Sequence, residues 1–488
     1  MTAASPPDPR RRLLFLLAVA IAARAITFGN PIVFVDEEFY LAAAHAVCRG
    51  ALPYVDVWDR KPVGLFLLYL PAGCAPLPLG VWIYQAMALA AVTGTALLIA
   101  RAADRAGWQA GAAPAAALYI LWLNFADGQG GQAPVFYNPL VAGAALLTVG
   151  ATDRDARARR LAGVAAMLLV GLAMQIKYSA VFEGIWFGLW LVWTERRAAG
   201  WSAALLQAAA LVAAAVLPTV LAAATYVAMG QLPAFLYANF VSILQRSSDP
   251  PADQLDNIQT AAIILVPLLV IAAGGLLGRR ERGSTPERRF LRGWAVAAIG
   301  GFAVFGSWFN HYTLPVLVPL SVCVAGSIVL GGWRRRGLAI LLGIAFVGGQ
   351  AVLVSQRGVR GTPAEFDAIV RAVGRGPGAL YVYSGSSLYY SFSGRPLPTR
   401  FLFPSHLQTA RENGAVGVSQ AGETARILRQ HPAVVVVQSL DGGERPDLHG
   451  AVVGWLDRHR YRLTAQRPLG NKHVDVYRAP LPSPAHQL

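Results

Sequence analysis

Runs of apolar residues alternate with short polar segments over most of the chain. Residues 12–354 consist largely of apolar runs of about 17–25 residues, the length that an α-helix needs to cross roughly 30 Å of hydrocarbon. The pattern predicts an all-α polytopic membrane bundle of about eleven spanning helices, at about residues 12–30, 81–100, 109–125, 135–151, 160–176, 181–194, 203–229, 259–278, 293–309, 312–332 and 337–354.

The loop between the first two predicted spans, about residues 31–80, is long enough to hold structure of its own. We predict a helix at Glu37–Cys48, because Gly50 closes it. Residues 63–79 are apolar but contain three prolines that disfavour a spanning helix, Pro71, Pro76 and Pro78. We therefore predict a helix that lies in the membrane interface, with Pro62 at its first position.

Composition and charge support this topology. The chain is 55% hydrophobic, only 14% charged, and carries a formal net charge of +16. Basic residues crowd every second loop, at Arg10–Arg12, Arg101, Arg105, Arg154, Arg157, Arg159, Arg160, Arg196, Arg197, Arg279, Arg280, Arg282, Arg288, Arg289, Arg292 and Arg334–Arg336. The positive-inside rule makes these loops and the N-terminus cytoplasmic. The charge thus indicates topology and contact with membrane lipid, and we expect no nucleic-acid partner.

The N-terminal apolar run resembles a signal peptide. However, Arg24 interrupts it and no convincing cleavage site follows, so we predict an uncleaved signal anchor in the inner (cytoplasmic) membrane. Domain 1–354 would then be the bundle, including the first extracytoplasmic loop.

Residues 355–488 have a soluble composition, and eleven spans place them outside the cytoplasm. The runs Ala379–Tyr383 and Ala433–Gln438 predict buried strands, and Val474–Arg478 predicts a last strand. A helix is predicted at Glu423–Gln430. The sequence therefore predicts a C-terminal extracytoplasmic α/β domain.

The first outer loop opens on an acidic cluster, Asp36-Glu37-Glu38. One interpretation is structural: Asp36 caps the helix that begins at Glu37, since carboxylates favour a helix N-terminus. The other is functional, because a rigidly held Asp above the bundle suits a general base. Both can hold together.

Arg60-Lys61-Pro62 is the second candidate motif. Interfacial Lys and Arg normally extend toward lipid headgroups, which is the plain interpretation. Opposite a carboxylate cluster, however, a Lys fixed at a helix start could hold the phosphate of a lipid-linked substrate.

Other polar residues would reach the same outer face. Lys177 and the His311-Tyr312 pair lie at the outer ends of predicted spans, where an interfacial role is the plain alternative to binding. Arg24 lies within the first span, from where its side chain can extend to the headgroups or serve a function. Weaker candidates border the outer loops, at Asp56, Asp59, Asp127, Gln132 and Asn138.

Several classes of site have no motif in the chain. Three cysteines, Cys48, Cys74 and Cys323, lack metal spacing. Cys48 and Cys74 share the outer loop and could bridge, but we expect two unrelated core thiols. No Walker loop, dinucleotide fingerprint or H-E-x-x-H motif is present. We expect no cofactor; the sequence neither requires a metal nor excludes one, and any reactive group must arrive on a substrate.

Taken together, these motifs resemble the GT-C superfamily of integral-membrane glycosyltransferases. The chain is similar to the branch of the dolichyl-phosphate-mannose protein mannosyltransferases and the lipid A aminoarabinose transferase. The similar segments are VDEEFYLAAAHAVCRG (35–50), WDRKPVG (58–64), GLAMQIKYSA (171–180) and FNHYTLPVLVP (309–319).

The resemblance implies a role for each of these segments. Asp36 matches the family's catalytic base, Glu37 its acidic companion, and Lys61 the Lys that contacts the donor phosphate. One departure is the loop between the third and fourth spans. Many relatives carry a Glu there, whereas this chain has Gly131-Gln132-Ala133-Pro134, which puts the type of acceptor in doubt.

From these residues we expect an inverting glycosyltransferase. It would use a polyprenyl-phosphate sugar on the outer face of the membrane, with an unknown glycan, lipid or protein as acceptor. Lys61, together with Arg60, Lys177, His311 and Tyr312, would stabilise the leaving phosphate. A polysaccharide polymerase or ligase shares this plan and is the main alternative. A transporter or flippase would need paired half-sequences and broken spans, which we do not find.

Overall fold

A computed structural model of the protein describes residues 8–151, 155–277, 285–304, 306–329 and 333–480. Four of the basic residues used for the topology prediction lie outside the described residues, Arg154, Arg279, Arg280 and Arg282, as do the side chains of Arg334 and Arg335.

Helices dominate the chain up to Arg360. In order they are α1 (Pro9–Arg24), α2 (Val35–Cys48), α3 (Val63–Gly73), α4 (Leu79–Arg105), α5 (Gln109–Trp122), α6 (Ala133–Ala151), α7 (Ala156–Met174), α8 (Val181–Ala228), α9 (Leu232–Leu236), α10 (Pro251–Leu277), α11 (Pro286–Val304), α12 (Leu314–Val329) and α13 (Trp333–Arg360). Within the described residues, six helical segments are long and apolar enough to cross a membrane by length and composition alone.

The predicted spans match these helices in order, and the multi-pass bundle is confirmed. The sixth and seventh predicted spans correspond to the two helical parts of α8, which are separated by a kink at Gly200, where φ is +83°. Glycine adopts this left-handed conformation without a steric penalty, so it can turn the chain between two spans without a loop.

Residues 363–478 form the α/β part of the chain. It contains α14 (Pro363–Val373), α15 (Leu388–Ser393), α16 (Ser405–Gln408), α17 (Gln420–Leu428), α18 (Pro446–Arg458), β1 (Leu380–Val382), β2 (Val434–Gln438), β3 (Arg462–Leu469) and β4 (Lys472–Arg478). The four strands form one sheet in the order β1-β2-β4-β3; β1 and β2 are parallel and the other pairs antiparallel.

The predicted helix and three predicted strands are confirmed, and β3 is the strand that the sequence did not reveal. β3 lies at the sheet edge and most of its side chains are exposed. An exposed edge strand needs no alternating apolar face, so the hydrophobic pattern carries no signal there. The domain boundary at residue 354 stays a prediction, since α13 continues to Arg360.

Helices α2 and α3 pack against each other between the first two spans. Both were predicted; α2 begins two residues earlier than expected, and Pro62 immediately precedes α3 instead of opening it. Both lie on the face of the bundle that also carries residues 363–478, which we call the loop face.

One expectation about the cysteines was wrong. Cys48, the last residue of α2, forms a disulfide with Cys74, which follows α3; their Cα atoms are 5.3 Å apart. Helices α2 and α3 pack side by side and run in the same direction, which brings their C-terminal ends together; their sequence separation of 26 residues does not reveal this arrangement. Cys323 is a buried free thiol.

We predict that the Cys48–Cys74 bridge is present in the protein purified from membranes. Denatured, unreduced protein should react with one maleimide-polyethylene glycol per chain, at Cys323, and reduced protein with three. Cys48→Ser should lower the melting temperature in detergent. Without the bridge the unfolded chain has more conformational freedom, which lowers the free energy of unfolding by about 2–4 kcal/mol. Three labels without reduction would contradict the pairing, and Cys323→Ser serves as the control for counting.

Candidate active site

The acidic cluster lies in the first turn of α2. Successive side chains of an α-helix point about 100° apart, so the three carboxylates face different surroundings. Asp36 faces the cations of the loop face, the Glu37 carboxyl lies against Gly130, and Glu38 lies near Ser386 of the α/β part. Phe34, not Asp36, is the capping residue, and it makes no side-chain cap bond. The capping interpretation of Asp36 is therefore wrong.

A hydrogen bond fixes the Asp36 side chain. Nε2 of Gln132 donates to Asp36 Oδ2 at 3.2 Å, from the loop that precedes α6. This is the loop where the resemblance leads one to expect a Glu. A Glu at this position would place a second carboxylate beside Asp36, and two such groups repel unless they share a proton or a metal. Gln132 keeps the hydrogen bond and leaves a single negative charge.

Arg24 holds this loop in place. Its guanidinium is buried and donates to three backbone carbonyls: Nη1 to Gln129 O at 2.8 Å and to Gly130 O at 3.0 Å, and Nη2 to Gly128 O at 2.5 Å. The side chain therefore points into the bundle and does not extend toward lipid headgroups. A buried cation that is fully hydrogen-bonded fixes the backbone around it.

The Glu37 carboxyl lies directly beneath this loop. A Cβ atom added to Gly130 would come within 2.0 Å of Glu37 Oε2, so only glycine allows the loop to approach so closely. Burial raises the pKa of Glu37 to about 8, although the Gly131 N–H and Arg24 oppose the shift. The carboxyl is thus mainly neutral at pH 7. The catalytic role predicted for Glu37 stays a prediction, and the geometry favours a supporting position behind Asp36.

Lys61 approaches Asp36 from the turn that precedes α3. Asp59 organises this turn: its Oδ1 accepts from the Lys61 backbone N–H at 2.8 Å and lies 3.9 Å from Lys61 Nζ. The ammonium also lies 5.6 Å from the centre of the Tyr40 ring. Burial works to lower the pKa of Lys61, but the charges of Asp59 and Asp36 raise it above its usual value. Lys61 is therefore a charged donor at neutral pH.

Lys177 and the His311-Tyr312 pair complete the cluster. Lys177 lies between α7 and α8, and its Nζ is 4.1 Å from the centre of the Tyr312 ring. The His311 ring packs edge-on to Tyr312 at 4.7 Å between centroids and to Phe34 at 5.9 Å. Burial, followed by repulsion from Lys61, lowers the pKa of Lys177 to about 7, and Asp36 opposes the shift. An anion bound here would favour its protonated form.

These charges set the state of Asp36. Burial alone would raise its pKa, but the charge of Lys61, followed by the interaction with His311, the Gln132 hydrogen bond and the charge of Lys177, outweighs it and holds the pKa below the usual value. Asp36 is therefore an ionised acceptor within electrostatic reach of two lysines. Such an arrangement can orient or deprotonate a hydroxyl group and can hold an anion beside it.

Arg60 is directed elsewhere. Its guanidinium forms two hydrogen bonds with Glu412 of the α/β part, at 3.0 Å from Nη1 to Oε1 and 2.6 Å from Nη2 to Oε2, and also donates to Ser242 Oγ. Five of the predicted site residues thus converge: Asp36, Lys61, Lys177, His311 and Tyr312. Glu37 lies behind them, and the phosphate-binding role of Arg60 stays a prediction.

A narrow, mostly apolar cleft leads away from the cluster. Its lining includes Lys177 and Tyr312 of the cluster together with Phe182 of α8 and Gly301 and Phe302 of α11. One carboxyl, that of Glu183, lies in it and accepts from Trp294 Nε1 at 2.6 Å. The cleft does not include Asp36 or Lys61 among its lining residues. Within the described residues, no group of three His, Cys, Asp or Glu could hold a metal ion.

Sequence reasoning missed several residues that shape the site. Gln132 and Asp59 were noted only as weak polar signals, and His406 and Glu412 were not singled out. The last two lie more than 300 residues beyond Arg60 in the chain, so only the fold brings them together.

The fold was compared with solved structures. ArnT from Cupriavidus metallidurans in the apo state matches with a TM-score of 0.67 and 14% identity over 96% of this chain and 98% of that one. ArnT bound to undecaprenyl phosphate matches with a TM-score of 0.66 and 15% identity, with the same coverage of both chains.

A second, more distant protein also matches. The apo form of the Archaeoglobus fulgidus oligosaccharyltransferase gives a TM-score of 0.54 and 13% identity over 88% of this chain and 69% of that one. No protein-family model and no curated protein sequence matches the chain. At these identities the likeness confirms the predicted fold and nothing more.

We predict that Glu37 acts as a neutral, buried group. A carboxyl whose pKa is about 8 when folded and near 4.5 when unfolded loses stability as pH rises between these values. Glu37→Gln lacks this loss, so its melting temperature relative to wild type should increase from pH 5 to pH 8.5, with activity at pH 7 largely kept. A catalytic Glu37 would instead show a large loss of turnover at unchanged stability.

Proposed function

We propose that the protein is a glycosyltransferase that moves a sugar from a polyprenyl-phosphate carrier to an acceptor hydroxyl, with inversion at the anomeric carbon. The observation that carries the proposal is that the Asp36 carboxylate and the two lysines whose charges act on it, Lys61 and Lys177, share the loop face. A base within electrostatic reach of lysine side chains matches the two charges that develop in such a transfer. The confirmed fold is that of ArnT, a protein whose structure was solved with undecaprenyl phosphate.

The lysines would hold the donor phosphate. Lys61 is charged and fixed at its backbone by Asp59, and Lys177 is one of the residues that line the apolar cleft. A lipid phosphate between them would place its first isoprene units along Phe182 and Phe302. The positive charge of the lysines suits a phosphate anion, and the apolar cleft suits the hydrocarbon chain that carries it.

The transfer itself needs no cofactor. The bond between the anomeric carbon and the phosphate oxygen breaks, and its electron pair stays on the phosphate, whose charge Lys61 and Lys177 stabilise. The acceptor oxygen bonds to the opposite face of the anomeric carbon, and its proton passes to the Asp36 carboxylate. Gln132 keeps that carboxylate oriented, because its amide donates to Oδ2 and leaves Oδ1 for the acceptor.

The loop face would lie outside the cytoplasm. The arginine-rich loops fall on the opposite side, which the positive-inside rule assigns to the cytoplasm. The Cys48–Cys74 disulfide supports the same orientation, since disulfides persist in oxidising compartments. The lipid carrier would therefore be used on the outer leaflet of the cytoplasmic membrane, and the acceptor would be a glycan, lipid or protein present there.

We predict that Asp36→Asn abolishes transfer and spares the fold. The amide keeps the shape and accepts or donates hydrogen bonds, but it cannot take a proton, so turnover should fall by about 10²–10⁴. The measurement is the release of undecaprenyl phosphate from a panel of undecaprenyl-phosphate sugars, followed by mass spectrometry at equal protein abundance.

Asp56→Asn is the matched control for Asp36→Asn. Asp56 lies on the same loop, is exposed, and accepts from the Leu52 backbone N–H at 2.8 Å. This variant should transfer as wild type does. Equal turnover of Asp36→Asn and Asp56→Asn would contradict the role of Asp36.

We predict that Lys61→Met mainly weakens use of the donor. Loss of a charged hydrogen bond to phosphate costs about 1.5–3 kcal/mol, so the donor KM should rise about 10- to 100-fold. The KM for the acceptor should change little. Lys472→Met removes a half-buried lysine that is paired with Asp441 in the α/β part and is the control. A donor KM that is the same in Lys61→Met and wild type would rule out phosphate binding by Lys61.

A further inference from the structure

Residues 58–61 form the turn before α3, which we call the lysine turn. Its first three residues, Trp58, Asp59 and Arg60, each contact the α/β part. The Trp58 backbone N–H donates to Arg400 O at 2.9 Å, and the Trp58 ring packs on Phe401 and His406, with centroids 5.5 and 4.7 Å away. The lysine turn is therefore bound along its length to residues 400–412 of another region of the chain.

The strongest of these contacts is a buried group of charges. Glu412, only 4% exposed, accepts both hydrogen bonds from Arg60 and lies 3.0 Å from Nε of Arg246. Planar guanidinium and carboxylate groups that meet in this two-bond geometry fix orientation as well as distance. Ser242 belongs to the same group of contacts. Its Oγ accepts a hydrogen bond from the Arg60 guanidinium and donates one to Ala415 O at 2.6 Å.

A second contact acts one residue earlier. The buried Asp59 carboxylate lies 3.5 Å from His406 Nε2 on one side and accepts from the Lys61 backbone N–H on the other. Asp59 thus connects the α/β part directly to the backbone of the lysine. Two neighbouring residues of the lysine turn, Asp59 and Arg60, are each held by a separate side chain of residues 400–412.

We propose that residues 400–412 position the lysine turn for donor binding, with Glu412 as a positioning residue that acts on Lys61 through Arg60. The inference rests on the proposed function, in which Lys61 holds the donor phosphate. An ammonium on a flexible stem binds an anion well only if its backbone is fixed, because a misplacement of about 1 Å costs much of the interaction. The α/β part is then a structural component of the donor site.

A competing explanation gives Arg60 a direct contact with the phosphate. Glu412 would in that case compete with the phosphate for Arg60, and its removal would tighten donor binding. If Glu412 positions the lysine turn, its removal should instead weaken donor binding. It also predicts that Arg60 and Glu412 act as a unit, so that losing both costs no more than losing one.

The experiment measures binding of undecaprenyl phosphate to the full-length protein in detergent, by native mass spectrometry, without any transfer step. Glu412→Gln and Arg60→Gln should each weaken binding about 5- to 50-fold, the range for one misplaced charged hydrogen bond. The double variant should bind as weakly as either single variant. Glu412→Asp, which keeps the charge, should recover part of the loss.

Asp475→Asn is the matched control, since it changes a carboxylate of β4 that accepts from Gln466 Nε2 of β3 at 2.8 Å. It should bind as wild type does. If Glu412→Gln does not fold, Arg60→Lys replaces it, because Lys keeps the charge but cannot make both bonds to Glu412; it too should bind more weakly.

Two outcomes would overturn the inference. One is unchanged or tighter binding by Glu412→Gln, or by Arg60→Lys in its place. The other is an additive loss in the double variant. Failure of wild type itself to bind undecaprenyl phosphate would instead refute the proposed function, so the two failures are distinguishable.

Discussion

The buried guanidinium of Arg24 is the interaction on which the candidate site depends. Its side chain is buried inside the bundle and donates to the carbonyls of Gly128, Gln129 and Gly130. Leaving this cation buried and unpaired would cost about 3–5 kcal/mol, a large fraction of the stability of a typical folded domain. The loop is therefore held where Gln132 reaches Asp36 and Gly130 covers Glu37. A change that releases Arg24 should release both contacts together.

The acidic cluster shows how one helical turn can assign different states to neighbouring carboxylates. Asp36 faces two ammonium groups and stays ionised, whereas Glu37, one residue later, is buried against the loop and holds its proton at pH 7. Glu38 has its pKa raised to about 7 by burial, with Ser386 opposing. The environment, and not the residue type, decides which of the three can accept a proton from a substrate.

The sequence was sufficient to predict features that repeat along the chain or involve nearby residues. It was insufficient to predict contacts between residues that only the folded structure brings together. Apolar runs and alternating arginine-rich loops located the spanning helices, because membrane thickness and charge asymmetry act on each segment separately. Asp36 and Lys61 could be found since they share one loop. The partners of Arg60 and Asp59, by contrast, are Glu412 and His406, and neither has a local signal. The edge strand β3 and the Cys48–Cys74 pair were missed for the same reason, since tertiary neighbours determine both.

The most direct test of the central claim is a cryo-electron microscopy structure of the protein with undecaprenyl phosphate. The account predicts a phosphate within about 4 Å of Lys61 Nζ and Lys177 Nζ, the range of an ion pair, with the lipid chain leaving along the cleft beside Phe182 and Phe302. A phosphate bound instead at the arginine-rich end of the bundle, with the space between the two lysines free of lipid, would contradict it.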